Sequence, residues 1–443
     1  MSSTDQSAPS LNTPDAPPSA GVRLSVMMFL QYAVWGVWLP FMANYLGSPI
    51  DKGGLGFTGG QIGWILGLAG SIGALAAPFI AGQIADRYLN AERALALLLL
   101  LGGIVKIILA EQTGYAAWLG LSIIYSVLYM PTLALTNSIA FANLDDPERK
   151  FPPVRALGTI GWIVASVAFP LIWMKTDVGL VKYWPFLDGT NLPDGTARIA
   201  DAVTVSGVLS IGYAFYSLLL PKTPPSKDVK RPLAFAEAFG LFGRLDLVVL
   251  TLTALLISMI HQCYFFRTGP YLENAIGFDV SDVPSVMAIG QVSEIVVLAV
   301  LGLFLKNLGY KWVLVLGALS YVLRYGIFAG VLSSESPSQG VVQAAMALHG
   351  LNYGFFFAGS FLYVEKVAPV NIRHSAQTVF GIIILGAGPV LAGFYNQSFD
   401  RFKDAAGAQR YDVFWWTQSG IALLAMLVLL AMFNASREPK SGE

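Results

Sequence analysis

Arg155 and Glu294 stand inside long apolar runs, in a chain that keeps most of its other charges at the ends of such runs. A charge near the middle of a bilayer is costly and normally faces a bundle interior or a water-filled cavity, so each residue is a candidate functional group. One is a permanent cation with a fork of donors; the other is a carboxyl that can take up and release a proton. Thr159 and Trp162 follow Arg155 at i+4 and i+7, on one stripe of a helix, adding a hydroxyl and a flat ring. Gln291 and Glu294, three apart, likewise share a face. A basic and an acidic group in opposite halves of the chain imply a polar cavity between two bundles, the pattern of a transporter.

Other chemistries lack their residues. No G-x-x-x-x-G-K-S/T loop is present to cradle a nucleoside triphosphate. No His, Cys and acid cluster has metal-ligand spacing, and no serine has a partnered His and Asp. An enzyme is therefore not expected, nor a metal or any other cofactor. Cys263, the single cysteine, cannot form an internal disulfide.

The elements that must position these residues are membrane helices. The chain has 443 residues, of which 55% are hydrophobic and 12% charged, and its mean hydropathy is +0.62. Lys+Arg and Asp+Glu balance at 27 each, so net charge points to no nucleic acid or other charged partner. Apolar segments of roughly 20 residues recur along the chain, and helices are the fold that satisfies their backbone in lipid. We expect about twelve transmembrane helices in two six-helix bundles, near 22–46, 59–84, 93–110, 115–142, 152–174 and 200–220, then 246–272, 283–305, 311–332, 340–364, 375–398 and 411–433. The Ser- and Pro-rich stretch 1–21 reads as a disordered tail and not a cleaved signal. The connection 221–245 is Pro- and Lys-rich with room for an amphipathic surface helix, and 434–443 is a short tail. Lys and Arg are denser in the loops on the side of the termini, which places both termini in the cytoplasm of a multi-pass inner-membrane protein. Tyr183, Trp184 and Phe186, in the long opposite-side loop 176–199, read as interfacial aromatics.

Two sets of motifs resemble known families. Gly82-Gln-Ile-Ala-Asp86-Arg87, with Arg93, resembles the loop between helices two and three of the major facilitator superfamily. Gly302-Leu-Phe-Leu-Lys306-Asn-Leu-Gly309-Tyr-Lys311 is an echo half a chain later, with Lys306 where the acid would be, as in a duplicated transporter. More specifically, Phe29 to Leu39, Tyr129 to Asn137, Phe151 to Trp162, Gln291-Val-Ser-Glu294, Leu323-Arg324-Tyr, Phe361 to Lys366 and Arg373 to Gln377 resemble, in matching order, the nucleoside:proton symporters of that superfamily. The resemblance implies a major facilitator fold and nucleoside import with a proton, by a monomer with no protein partner. It implies that Arg155, Thr159, Trp162, Gln262, Gln291 and Glu294 line the nucleoside site. Gln31, Asn137, His349 and Tyr353 complete the candidate set. Glu294 would carry the proton, with Arg155 linked to it.

Each assignment has a plainer alternative. Arg155 lies only a few residues inside its span and can snorkel to the surface. Glu294 can form a structural ion pair with Arg324 on the next helix. Lys106 and Arg267 lie nearer helix ends, and snorkelling is expected for them. Gln31 is expected to face the cavity, with Trp35 and Trp38 on its stripe divided between cavity and packing. Gly63, Gly67, Gly70, Gly73, Gly386 and Gly388 read as helix-packing positions. The tenth helix departs from the family, with Tyr353-Gly354 where related chains carry Phe-Asp, and His349 where a tyrosine is expected. His349 and Tyr353, at i and i+4, would together supply a titratable group and a stacking ring; a histidine bonded to a neighbouring helix is the alternative. A carrier of another neutral polar solute, such as a sugar, or a non-transporting receptor, are the competing functions.

Overall fold

A computed structural model describes residues 20–87, 89–180, 187–224, 240–369, 372–405, 407 and 409–435. The N-terminal tail up to residue 19, Tyr183, Trp184, Phe186, most of the connecting segment, the last residues and the side chains of the Asp86–Arg87 motif lie outside that description.

Among the described residues, ten helices are long and apolar enough to cross a membrane. One of them, Val280–Ser333, is 54 residues long and holds two crossings. Gly309 breaks it at φ 75° and ψ 169°, a conformation that glycine alone adopts without strain. A further crossing is divided into Gln339–Met346, Leu348–Leu351, a π-helical turn Asn352–Ala358 and Gly359–Val367. The described residues therefore make twelve crossings, as expected. The first crossing runs through Ala20–Gly36 and, after a 3₁₀ turn, Met42–Gly47. The fifth is Pro147–Trp173, the seventh Leu245–Asn274 and the eleventh Arg373–Phe399, which also contains a π-helical turn.

Helices of the first half pack on one another, the first on the fifth and the third on the sixth; in the second half the ninth crossing packs on the twelfth, where Ser419 donates to the Val322 carbonyl. Within the first half the backbones nearly touch. A Cβ on Gly36 would lie 2.5 Å from the Trp162 carbonyl oxygen. Gly63 and Gly67 of the second crossing serve a different contact, whereas Gly73 lies on Ser126 within the first half. A Cβ on Gly67 would lie 2.7 Å from the Pro389 carbonyl oxygen on the eleventh crossing, so this packing joins the halves. Gly70 has open space around its Cα, unlike the others of its series.

Polar contacts between the halves gather at the end of the molecule far from the termini. Asn44 donates to Glu273 at 2.5 Å, the Gly60 amide donates to Asp400 at 2.6 Å, and Asn396 donates to the Gly59 carbonyl. Beside them the chain forms a feature not anticipated from its helical pattern. Strands β1 (Lys175–Leu180) and β2 (Leu187–Asn191) pair antiparallel, with Lys175 opposite Asn191 and Thr176 opposite Thr190. The Lys175 ammonium bridges Asp188 of the hairpin and Asp282 of the second half, and Ser281 donates to Asn191 at 2.8 Å.

Burial alone would lower the Lys175 pKa, but hydrogen bonds and charge from Asp188 and Asp282 outweigh it and raise the pKa above the ordinary lysine value. For Asp188 burial acts upward, and the bonds from Lys175 and the Gly189 amide bring it below the ordinary aspartate value. Stability from a raised lysine is complete below its unfolded pKa and is lost as pH rises through the folded one. Stability from a depressed aspartate is complete above its unfolded pKa and is lost as pH falls through the folded one. Burial raises the Asp282 carboxyl above the ordinary aspartate value despite Lys175, so the clasp is fully charged only above that raised value and up to the lysine range. Proteolysis of the hairpin is expected to rise as acid protonates Asp282, and Asp188→Asn to accelerate it severalfold at neutral pH. The two glycine contacts should separate in experiment: Gly36→Val lowers the melting temperature, a cost of about 1–3 kcal/mol from overpacking. Gly67→Val instead increases labelling of a cysteine placed at Asn44, because it holds the halves apart at the far end.

Candidate functional site

The fifth and eighth crossings, one from each half, pack together and bring Arg155 and Glu294 into one cluster. The Arg155 guanidinium lies over the Tyr32 ring of the first crossing, 4.2 Å from its centroid. Electrostatic interactions join Glu294 to Arg155 and to Tyr32, and Tyr353 to all three. Arg155 is half-buried and packed against an aromatic face deep in the fold, a guanidinium stacked on a ring and not one reaching for the surface. The Glu294 side chain is only 12% exposed.

Beneath Glu294 the second half holds a connected polar core. His349 on the tenth crossing is buried, with Nε2 3.2 Å from the Gln291 amide nitrogen and 4.0 Å from a Glu294 oxygen. Its Nδ1 lies 2.9 Å from Nη1 of Arg324. Arg324 is fully buried; it also donates to the Asn352 carbonyl oxygen at 3.2 Å and stacks on Tyr264, 4.0 Å from the ring centroid. Asn352 passes the chain on to Ser320 at 2.8 Å. The expected alternative, a direct Glu294–Arg324 ion pair, does not form: His349 stands between them. His261 stacks on His349 with centroids 5.4 Å apart and bonds Tyr321 through Nδ1 at 2.7 Å.

The remaining candidates fall into place unevenly. Thr159 and Gln262 are half-buried on the fifth and seventh crossings, as is Asn137 on the fourth. Trp162 is buried, its backbone against Gly36. Tyr353 is 36% exposed beside His261 and Phe357, whereas His349 one turn earlier is sealed. The π-helical turn that starts at Asn352 breaks the i, i+4 stripe on which the pair was expected to act together.

Gln31 corrects the expectation of a cavity-facing amide. It is fully buried and donates to Thr132 at 2.7 Å inside the first half. Trp35 and Trp38, on its stripe, follow it inward, edge-on to Tyr129 and Tyr125. Tyr32, about 100° around the helix from Gln31, is the residue that reaches Arg155. Tyr32 lies in the same segment, and only the phase of the helix differs from the expectation.

Lys106 and Arg267 also correct the snorkelling expectation. Lys106 is buried, with its ammonium 3.2 Å from the Trp38 ring centroid and 4.4 Å from that of Tyr125. Arg267 is buried between Asn396 and Asp400, with a 2.7 Å bond to the latter. It thus belongs to the polar contacts at the far end, beside a cavity of about 350 Å³ that Asn44, Asn396, Asp400 and Tyr411 help to line.

This arrangement has a donor fork, a carboxyl and aromatic faces at the meeting of two helical bundles, without a metal-ligating cluster among the described residues. The sequence profile described as nucleoside H+ symporter matches residues 19–438. The chain belongs to that family. It is 31% identical to the putative nucleoside transporter YegT of Escherichia coli K12, over 93% of each chain, and 28% identical to that organism's xanthosine permease, over 95% of this chain and 98% of the permease. The crystal structure of the nucleoside transporter NupG superposes with a TM-score of 0.78 at 24% identity, covering 94% of this chain and all of that one. This symporter is therefore a multi-pass membrane protein of the major facilitator fold that imports nucleosides with protons, and neither an enzyme nor a receptor.

The buried ammonium of Lys106 gives a test of energetics. A cation on aromatic faces gains about 2 kcal/mol, less than the several kcal/mol that burying it costs. Lys106→Met is expected to raise the melting temperature in detergent; a fall would show that the ring contacts outweigh burial.

Proposed function

We propose that the nucleoside binds where the fifth and eighth crossings meet, between the Arg155–Thr159–Trp162 stripe and the Gln291–Glu294 face, with Gln262, Asn137 and Tyr353 completing the wall. The supporting observation is that Arg155 and Glu294, from opposite halves, fall within one electrostatic cluster. Arg155 and Gln291 supply donors for ribose hydroxyls or base edges, and Tyr32 and Tyr353 offer rings for the base. A solute contacted by both halves reports its presence to each, as alternating access requires.

Glu294 carries the proton in this reading. It is largely shielded from solvent and its charged neighbour is Arg155, so ionised Glu294 ties the halves together while protonated Glu294 loosens the tie. The positively charged loops favour cytoplasmic termini in a bacterial inner membrane, and in this reading the clasp of Asn44, Gly60, Lys175 and Asp400 closes the exterior. The site then opens inward, and a single chain suffices for transport.

Uptake of labelled uridine and adenosine into proteoliposomes tests this. Wild type accumulates nucleoside above equilibrium only with an inward proton gradient. Glu294→Gln is expected to equilibrate nucleoside at a measurable rate but to accumulate none, and retained accumulation would remove Glu294 from the coupling step. Arg155→Lys keeps the charge but loses the fork and should weaken nucleoside binding by about tenfold or more.

A further inference from the structure

The contacts of His349 decide which of its ring nitrogens carries hydrogen. A guanidinium has donors and no acceptor, and Arg324 holds Nη1 2.9 Å from His349 Nδ1. Nδ1 must therefore present its lone pair, and the ring hydrogen sits on Nε2. Arg324 cannot turn away cheaply: it is fully buried, bonded also to Asn352 and stacked on Tyr264. Adding a proton to Nδ1 would set two donors against each other beside a buried positive charge.

The Nε2–H of His349 points at the eighth crossing, where the Gln291 amide is 3.2 Å and a Glu294 oxygen 4.0 Å away. A ring donor requires an acceptor, so the Gln291 side chain turns its oxygen toward the ring; the two ends of an amide are assigned from such a network. The donors then run in one direction, from Arg324 through His349 toward Gln291 and Glu294. The groups facing His349 are Arg324 on the ninth crossing, Gln291 and Glu294 on the eighth, and His261 and Tyr264 on the seventh. None of them accepts a proton from Nδ1.

We propose that Arg324 locks His349 as a neutral Nε2–H donor, a positioning residue that holds Gln291 beside the ionised Glu294 carboxylate, and that His349 itself never takes the transported proton. This rests on the reading of Glu294 as the proton carrier and adds to it how the carboxylate is held between proton cycles.

Two variants separate the ends of the ring. His349→Gln places an amide donor near Nε2 and gives up the acceptor for Arg324; His349→Asn keeps an acceptor near Nδ1 and gives up the donor. In proteoliposomes, His349→Gln is expected to retain gradient-driven accumulation with the wild-type pH midpoint. His349→Asn is expected to move that midpoint to higher pH by about half a unit, because it removes the ring N–H that orients Gln291 at 3.2 Å and whose positive end lies 4.0 Å from the carboxylate. Loss of accumulation in both, with equilibration retained, would make His349 a proton carrier and overturn the proposal. Unchanged midpoints in both would reduce His349 to packing and overturn it as well. Absence of gradient-driven uptake in wild type would instead reject the coupling reading. For that case the tautomer is measured directly, by ¹⁵N spectra of histidine-labelled protein, which has three histidines. The signal absent from His349→Gln should show Nε2–H and should not titrate between about pH 5 and 8. Titration of that signal would refute the lock without any transport measurement.

Discussion

Arg324 carries a permanent charge with none of its surface open to solvent, at the middle of a helical bundle where lipid and protein both have low polarity. Such a charge is tolerable only if most of the directions it faces supply electrons; here Nε alone is left without a hydrogen-bond partner. The second half supplies them in turn: a histidine lone pair, an amide oxygen, a methionine sulfur and the face of Tyr264. The tenth crossing provides three of these four from one short stretch, Met346 to Asn352. Its helix is also the most broken in the protein, which suits a segment whose side chains must converge on one point.

That constraint reaches the substrate region through His349. With its inner nitrogen committed to Arg324, the ring has one outward function left, and the eighth crossing presents Gln291 and Glu294 to it. Glu294 then faces two ways, toward the buried cation's relay on its own side and toward Arg155 across the gap. The halves are otherwise joined at the far end, by Gly67 on Pro389, by Asn44 on Glu273, and by the Lys175 clasp.

Burial also explains why charge placement along the chain misled at two positions. Lys106 and Arg267 lie near helix ends, where long side chains commonly reach the surface. Their actual neighbours come from elsewhere in the chain: Trp38 and Tyr125 for one, Asn396 and Asp400 for the other. Nothing in the local pattern announces such partners, since they are some twenty to more than a hundred residues away.

Length and hydropathy of the apolar runs determined the twelve crossings by themselves, because a helix must satisfy its own backbone in lipid and needs about twenty residues to do so. Helical periodicity likewise made Arg155 with Thr159, and Gln291 with Glu294, legible as shared faces. Which way each face turns was decided only by tertiary packing. Gln31 and Tyr32 are neighbours in sequence, yet one is spent inside the first half and the other meets Arg155, because the contact at Gly36 and Trp162 sets the rotation of the first helix. The π-helical turn at Asn352 and the insertion of His349 between Glu294 and Arg324 are of the same kind. Both depend on the fit of side chains from three helices at once, and periodicity in a single helix carries no information about that fit.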